Sequence, residues 1–101
     1  MDVSIVITTY NYSDFIENCI NSCLKQLNTR LSYEIIVVDD GSTDNTSEIL
    51  ELYSSDSLRV FRIENSGIEK ASNFGFSKAT GDYIVRVDAD DLLLPNYLAS
   101  M

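Results

Sequence analysis

Two runs of the sequence, Val3-Ser4-Ile5-Val6-Ile7-Thr8 and Glu34-Ile35-Ile36-Val37-Val38, are apolar and β-branched at successive positions. Side chains of a strand alternate between its two faces, so a strand built from either run has no face to give to water. Such strands need cover on both sides, which points to the centre of a parallel sheet packed between helices. The first run is followed by Phe15, Ile16, Cys19, Ile20, Cys23, Leu24 and Leu27 at helical spacing, with Ser13 or Asp14 available to cap the first turn. The second is followed by a short helix expected to carry Ile49, Leu50 and Tyr53 inward.

The same alternation continues. Leu58 to Ile63 has mixed patterning and carries Arg59 and Arg62, as expected of a third strand at or near a sheet edge. A third helix is predicted from about Ile68 to Thr80, ended by Gly81 in left-handed conformation. Asp82 to Val87 reads as a fourth strand, and Pro95 suits the first turn of a final helix. Strand and helix in alternation imply right-handed crossovers. The fold class is therefore α/β, a mostly parallel sheet of about four strands with helices on both faces. With 101 residues, 45% hydrophobic content and no repeat or linker, residues 1–101 are expected to form a single domain.

Charge narrows the function. Sixteen acidic residues stand against seven basic ones, histidine is absent and the net charge is −9, a balance that repels nucleic acid and anionic membrane surfaces. A phosphate-bearing ligand would need that charge offset, and a divalent cation is the natural agent. No apolar run reaches the roughly 18 residues needed to cross a bilayer, and Met1-Asp2-Val3-Ser4 lacks the basic start of a secretory signal. A soluble, cytoplasmic piece without a transmembrane segment is expected. Cys19 and Cys23 form no CxxC pair and have no histidine partner, and read as reduced core residues.

Ligands of parallel α/β sheets bind beyond the carboxyl ends of the strands, and three polar clusters fall there. Asp88-Ala89-Asp90-Asp91 sets three carboxylates in four residues directly after a buried strand, a costly arrangement unless a cation or solvent relieves the repulsion. Hard oxygen ligands suit magnesium or manganese, with open positions for phosphate oxygens. On its residues alone the triplet also reads as a solvated acidic turn. In Asp39-Asp40-Gly41-Ser42-Thr43-Asp44, Gly41 permits a sharp turn, so one carboxylate can face a cleft and accept the N–H groups of uracil or guanine. Ser42, Thr43 or Asp44 would then cap the next helix, and equally all of these can be turn and cap residues. In Thr8-Thr9-Tyr10-Asn11, Tyr10 can stack on a base while Thr8 offers backbone and hydroxyl groups, although a tyrosine after a strand is also ordinary packing. No GxGxxG follows the first strand, which argues against a dinucleotide-binding Rossmann site. The strand ends also lack the acidic pair, phospho-acceptor aspartate and lysine of a receiver domain.

The segments Ile7 to Tyr12, Ile35 to Thr46, Ala79 to Ile84 and Val87 to Pro95 stand in the order and approximate spacing of the family 2 glycosyltransferases of the GT-A fold. Over nearly its whole length the sequence resembles the N-terminal, nucleotide-sugar-binding half of such an enzyme. The resemblance implies that Thr8, Tyr10 and Asp40 hold the nucleobase. It places Asp88 and Asp90 at the ribose and at a Mn2+ or Mg2+ ion bound to the diphosphate, with Asp91 helping to position these groups. Ser72 stands where similar sequences often carry an arginine, and Lys70, two residues earlier, is the candidate for that charge beside its reading as a solvated helix lysine.

The activity implied is inverting transfer of a sugar from a nucleoside-diphosphate donor to a hydroxyl of a saccharide or lipid-linked acceptor, of the kind used in polysaccharide biosynthesis. UDP is the favoured nucleotide, with guanine or thymine nucleotides able to make the same diphosphate contacts. The general base is expected beyond Met101, so the chain would be the donor part of a longer transferase, acting in the cytoplasm or at the inner face of the membrane, and inactive alone. A nucleotide-binding module without transferase activity is the alternative. The fourth strand would lack a neighbour supplied by the remainder, which leaves its edge open for self-association.

Overall fold

The structure, a computed structural model, describes residues 1–27, 29–53 and 55–100. Strand β1 (Val3–Thr9) is buried along its whole length. It pairs in parallel with β2 (Tyr33–Asp39) on one side and with β4 (Tyr83–Asp88) on the other, and β2 pairs in parallel with β3 (Leu58–Arg62). The order is β3-β2-β1-β4, which puts the two both-face apolar runs at the centre as their patterning requires. Because every strand runs the same way, the carboxyl ends collect on one edge: Thr8 lies opposite Asp88 on one side, and Thr9 opposite Asp39 on the other.

Alternation sends β1 into two cores. Ile5, Ile7, Ile35 and Val37 meet Ile16, Cys19, Ile20 and Cys23 of α1 (Ile16–Leu24) and Leu50 of α2 (Thr46–Glu51). On the other face Val6, Ile36 and Val38 take Ala71 of α3 (Ile68–Lys78), flanked by Phe61 and Phe74 with ring centroids 5.5 Å apart. Each fully buried aliphatic side chain contributes about 1.5–3 kcal/mol relative to exposure, so the two layers together hold the sheet edge on which the polar clusters stand. The α/β class and the two-sided helix cover are those expected from the sequence.

Some boundaries differ. Phe15 and Leu27, placed on the α1 stripe by spacing, are 50% and 56% exposed, and Leu27 lies beyond the helix end. Neither Ser13 nor Asp14 caps α1; Tyr12 O accepts the N–H groups of Phe15 and Ile16, and the N–H of Ser13 turns away to Asp44 Oδ2 at 3.2 Å. Helix α3 stops at Lys78 in an extended Ala79, and Gly81 is not left-handed. Its glycine is required by contact, since a Cβ there would lie 2.6 Å from Ser4 N, and the Gly81 N–H donates to Ser4 Oγ at 2.8 Å. Pro95 opens a turn that leads into a 3-10 segment, Leu98–Ser100, in place of an α-helix. Leu98 is buried in the α1 core.

β3 is an edge strand, as its arginines predict, and β4 is the other edge among the described residues, with Tyr83 65% and Ile84 46% exposed. At the opposite end of the sheet from the polar clusters, the carboxylate of Glu34 ties the α3–β4 connection to β1 and β3. It accepts from Ser4 Oγ at 2.6 Å, from the N–H and hydroxyl of Thr80 at 2.8 Å each, and from Arg59 at 3.0 Å. Cys19 and Cys23 are free and buried. The contact with Cys23, burial and the negative charges of Asp91 and Asp90 push the Cys19 thiol up, so it stays protonated. No described helix is long and apolar enough to cross a membrane.

Candidate functional site

The three carboxyl-end clusters meet around one cleft of about 350 Å³. Its walls are Thr8, Thr9, Tyr10 and Tyr12 from the end of β1, Asp40 after β2, Asn65, Gly67, Ile68 and Ala71 at the start of α3, and Asp88, Ala89 and Asp90 after β4.

The turn after β2 is held from below. Asp39 is fully buried and its Oδ1 accepts the Ser42 N–H at 3.0 Å. Arg62, opposite it on β3, donates Nη1 to Asp39 Oδ2 at 2.8 Å and Nη2 to the Ser42 carbonyl at 2.9 Å. A forked, charge-assisted clamp of this kind fixes orientation as well as charge. Gly41 can then adopt φ +72° directly against Asn65, whose N would lie 2.7 Å from any Cβ placed there.

From above, the turn is sewn to the β1 loop by Asn11. Asn11 is left-handed, with φ 56°, a conformation that asparagine tolerates better than most residues. Its Oδ1 accepts the N–H groups of Thr43 at 2.8 Å and Asp44 at 3.3 Å, and its own N–H donates to Ser42 Oγ at 3.0 Å. None of the three candidates Ser42, Thr43 and Asp44 is the N-cap of α2, which is Asn45 without a side-chain cap bond; Asp44, one residue earlier, tightens the approach through Oδ1, which accepts both the N–H and the hydroxyl of Thr46. Burial opposes the charge on Asp44, but these bonds and the one from Ser13 hold its carboxyl below the ordinary value.

Asp40 is 4% exposed and faces the cleft. Its Oδ1 accepts the Ser66 N–H at 2.9 Å and its Oδ2 the Gly67 N–H at 3.1 Å, while its carbonyl accepts from Asn65 Nδ2 at 3.0 Å. Asp40 thus shapes the approach to α3 as well as lining the cleft; Oδ1 also accepts from Ser66 Oγ at 3.4 Å, and Oδ2 keeps a further lone pair for a ligand N–H.

Across the cleft, single carboxylate oxygens of Asp88, Asp90 and Asp91 all lie within 4.8 Å of one another, and the Asp91 N–H closes the turn onto Asp88 O at 2.9 Å. This donor set fits a hard divalent cation such as Mn2+ or Mg2+. Thr8 Oγ1 and Thr9 Oγ1 are buried at the cleft without a hydrogen-bond partner. Orphaned buried hydroxyls are rare, and both of these belong to residues that line the cleft.

Of the residues singled out from the sequence, Thr8, Tyr10, Asp40, Asp88 and Asp90 are brought together here, and Asp91 joins the carboxylate group. Lys70 is not brought in; it is exposed on α3, whose cleft-facing residues are Ile68 and Ala71. Sequence reasoning placed Asn11 in the cluster after β1 without giving it a role, and passed over Asn65 and Arg86. An asparagine directly after a strand end signals a left-handed turn, and Arg86 shares strand parity with Asp88, so two of the three left a readable trace.

The solved structures that this four-strand parallel sheet resembles are GT-A glycosyltransferases. Among solved structures, residues 1–349 of TarS from S. aureus in complex with UDP-GlcNAc superpose with a TM-score of 0.90 at 35% identity, covering 99% of this chain and 30% of that one. The mannosyltransferase PcManGT from Pyrobaculum calidifontis, in complex with GDP-Man and Mn2+, gives a TM-score of 0.81 at 31% identity over 94% of this chain and 29% of its own. The glycosyltransferase GlyG of Streptococcus pneumoniae is 39% identical over an alignment of 102 positions that covers 98% of this chain and 33% of GlyG. Residues 4–101 match the model of glycosyl transferase family 2, and the chain belongs to that family. It spans about a third of the length of curated relatives that it matches.

Proposed function

We propose that this chain forms the donor site of an inverting glycosyltransferase that takes a UDP-sugar together with Mn2+ or Mg2+. The observation that carries the reading is the convergence of Asp40, the unpartnered hydroxyl of Thr8 and the Asp88, Asp90 and Asp91 carboxylates on one cleft. UDP-GlcNAc in the TarS complex and GDP-Man with Mn2+ in the PcManGT complex support a nucleotide-sugar ligand and a metal.

In this reading Asp40 accepts the ring N–H of the base, Tyr10 stacks on its face and Thr8 donates its hydroxyl. Asp88 and Asp90, with Asp91 beside them, hold the cation. When bound, that ion neutralises charge developing on the departing diphosphate. The acceptor is a saccharide or lipid-linked hydroxyl, and the base that deprotonates it belongs to a longer protein, consistent with the length of the relatives. The chain alone then binds donor without transferring it. Free buried thiols fit a reducing, cytoplasmic setting, and the open β4 edge is proposed to pair two copies of the chain.

Calorimetric titration with UDP, with and without Mn2+, tests the reading. Metal-dependent binding that disappears in Asp90→Ala is expected. Failure to bind UDP, GDP or TDP under any metal condition would remove the donor-site assignment.

A further inference from the structure

Three arginines pair with carboxylates among the described residues, and Arg86 is the one that does so beside the cleft. Arg59 is engaged by Glu34 and Arg62 by Asp39, whereas Arg86 meets the acidic loop. It stands two positions before Asp88 on β4, so both side chains leave the same face of the sheet, the face that carries α3. Its Nη2 donates to Asp88 Oδ1 at 3.1 Å, and both side chains are about half exposed.

A second cavity of about 250 Å³ opens between α3 and β4, lined by Arg86, Ser72, Asn73 and Glu69, and it shares Ile68 with the main cleft. Ser72 is 95% buried there and its Oγ has no hydrogen-bond partner. The wall that Ser72 shares with Arg86 therefore holds a buried polar atom without a partner. Lys70, two positions before Ser72 on α3, lines neither cavity.

We infer that Arg86 is the cationic group of the donor site, a counter-ion that positions Asp88 and turns toward the phosphate oxygens when a diphosphate enters; the inference rests on the donor-site reading above. A guanidinium has five N–H donors in a planar fork, so one bond to Asp88 leaves others for phosphate. Its effect has opposite signs for the two ligands. The positive charge beside Asp88 opposes a divalent cation arriving alone, and the same charge favours a diphosphate arriving with the metal.

The test is calorimetry on the unmodified chain, Arg86→Gln and Arg86→Lys, with Mn2+ alone and then with UDP in saturating Mn2+. Arg86→Gln is expected to tighten Mn2+ binding about three- to tenfold, because a like charge is gone. It should weaken UDP binding about tenfold, because a charge-assisted contact is lost. Arg86→Lys should keep the metal affinity of the unmodified chain and recover part of the UDP affinity, an ammonium lacking the fork. Weakening of both ligands in Arg86→Gln would mark a purely structural role and overturn the inference. Unchanged binding of both would overturn it as well, with the donor-site reading intact. An unmodified chain that binds neither Mn2+ nor UDP would sink that reading and this inference with it.

Discussion

The backbone N–H of Gly67 donates to Asp40 Oδ2 at 3.1 Å across 27 positions of sequence, and the Ser66 N–H beside it reaches Oδ1 at 2.9 Å. Both oxygens of one cleft-facing carboxylate are thus engaged by the segment that enters α3. Asp40→Asn puts an N–H2 group opposite one of those N–H donors. The expected cost is about 1–3 kcal/mol in urea denaturation, the range for a buried polar group left unmatched. UDP affinity should fall with it. Unchanged stability and binding in this variant would show that the carboxylate does not organise the loop.

Glu34 should give the fold a distinct acid response. Burial works against its charge, but Ser4, Thr80 and Arg59 more than compensate and hold its carboxyl at about 2 against an ordinary 4.5. A folded value below the unfolded one means that the stabilisation is complete above about pH 4.5 and is lost as pH falls toward 2. That contribution is about 3 kcal/mol, from the linkage of pKa to stability. Urea midpoints measured between pH 7 and pH 3 should decline less steeply for Glu34→Gln, which has no such proton to take up. Parallel curves for the two proteins would assign the acid sensitivity to other carboxylates.

Among the described residues the outer edge of β4 is unpaired, and Tyr83 and Ile84 on it are exposed. Sedimentation velocity of the chain is expected to show a dimer that grows with concentration, and Ile84→Lys should shift it toward monomer by adding like charges at the contact. A single monomer boundary throughout the concentration range would count against pairing through this strand.

The sheet was legible because Val3–Thr8 and Ile35–Val38 cannot be solvated on either side, a constraint that needs only strand alternation. The clusters at the strand ends followed from the same reasoning, since a parallel sheet gathers its carboxyl ends whatever the loops do. Contacts set by three-dimensional approach were not legible. Gly81 looked like a helix terminator and proved to be a close passage over Ser4. Phe15 and Leu27 fit a helical stripe by spacing, but α1 begins after the one and ends before the other. Lys70 and Arg86 carry the same charge, and only the placement of α3 against β4 shows which of them stands beside Asp88.

The register of β1 has a consequence for the order in which the protein can be made. Val3 pairs with Tyr33 on one side and with Tyr83 on the other. As the nascent polypeptide leaves the ribosome, β1 must therefore wait for β4 before the middle of this four-strand sheet closes, and pairing over such separations is slow. Until then one flank of β1 is open to pairing with a wrong strand, the exposure that makes such late-closing sheets prone to misassembly.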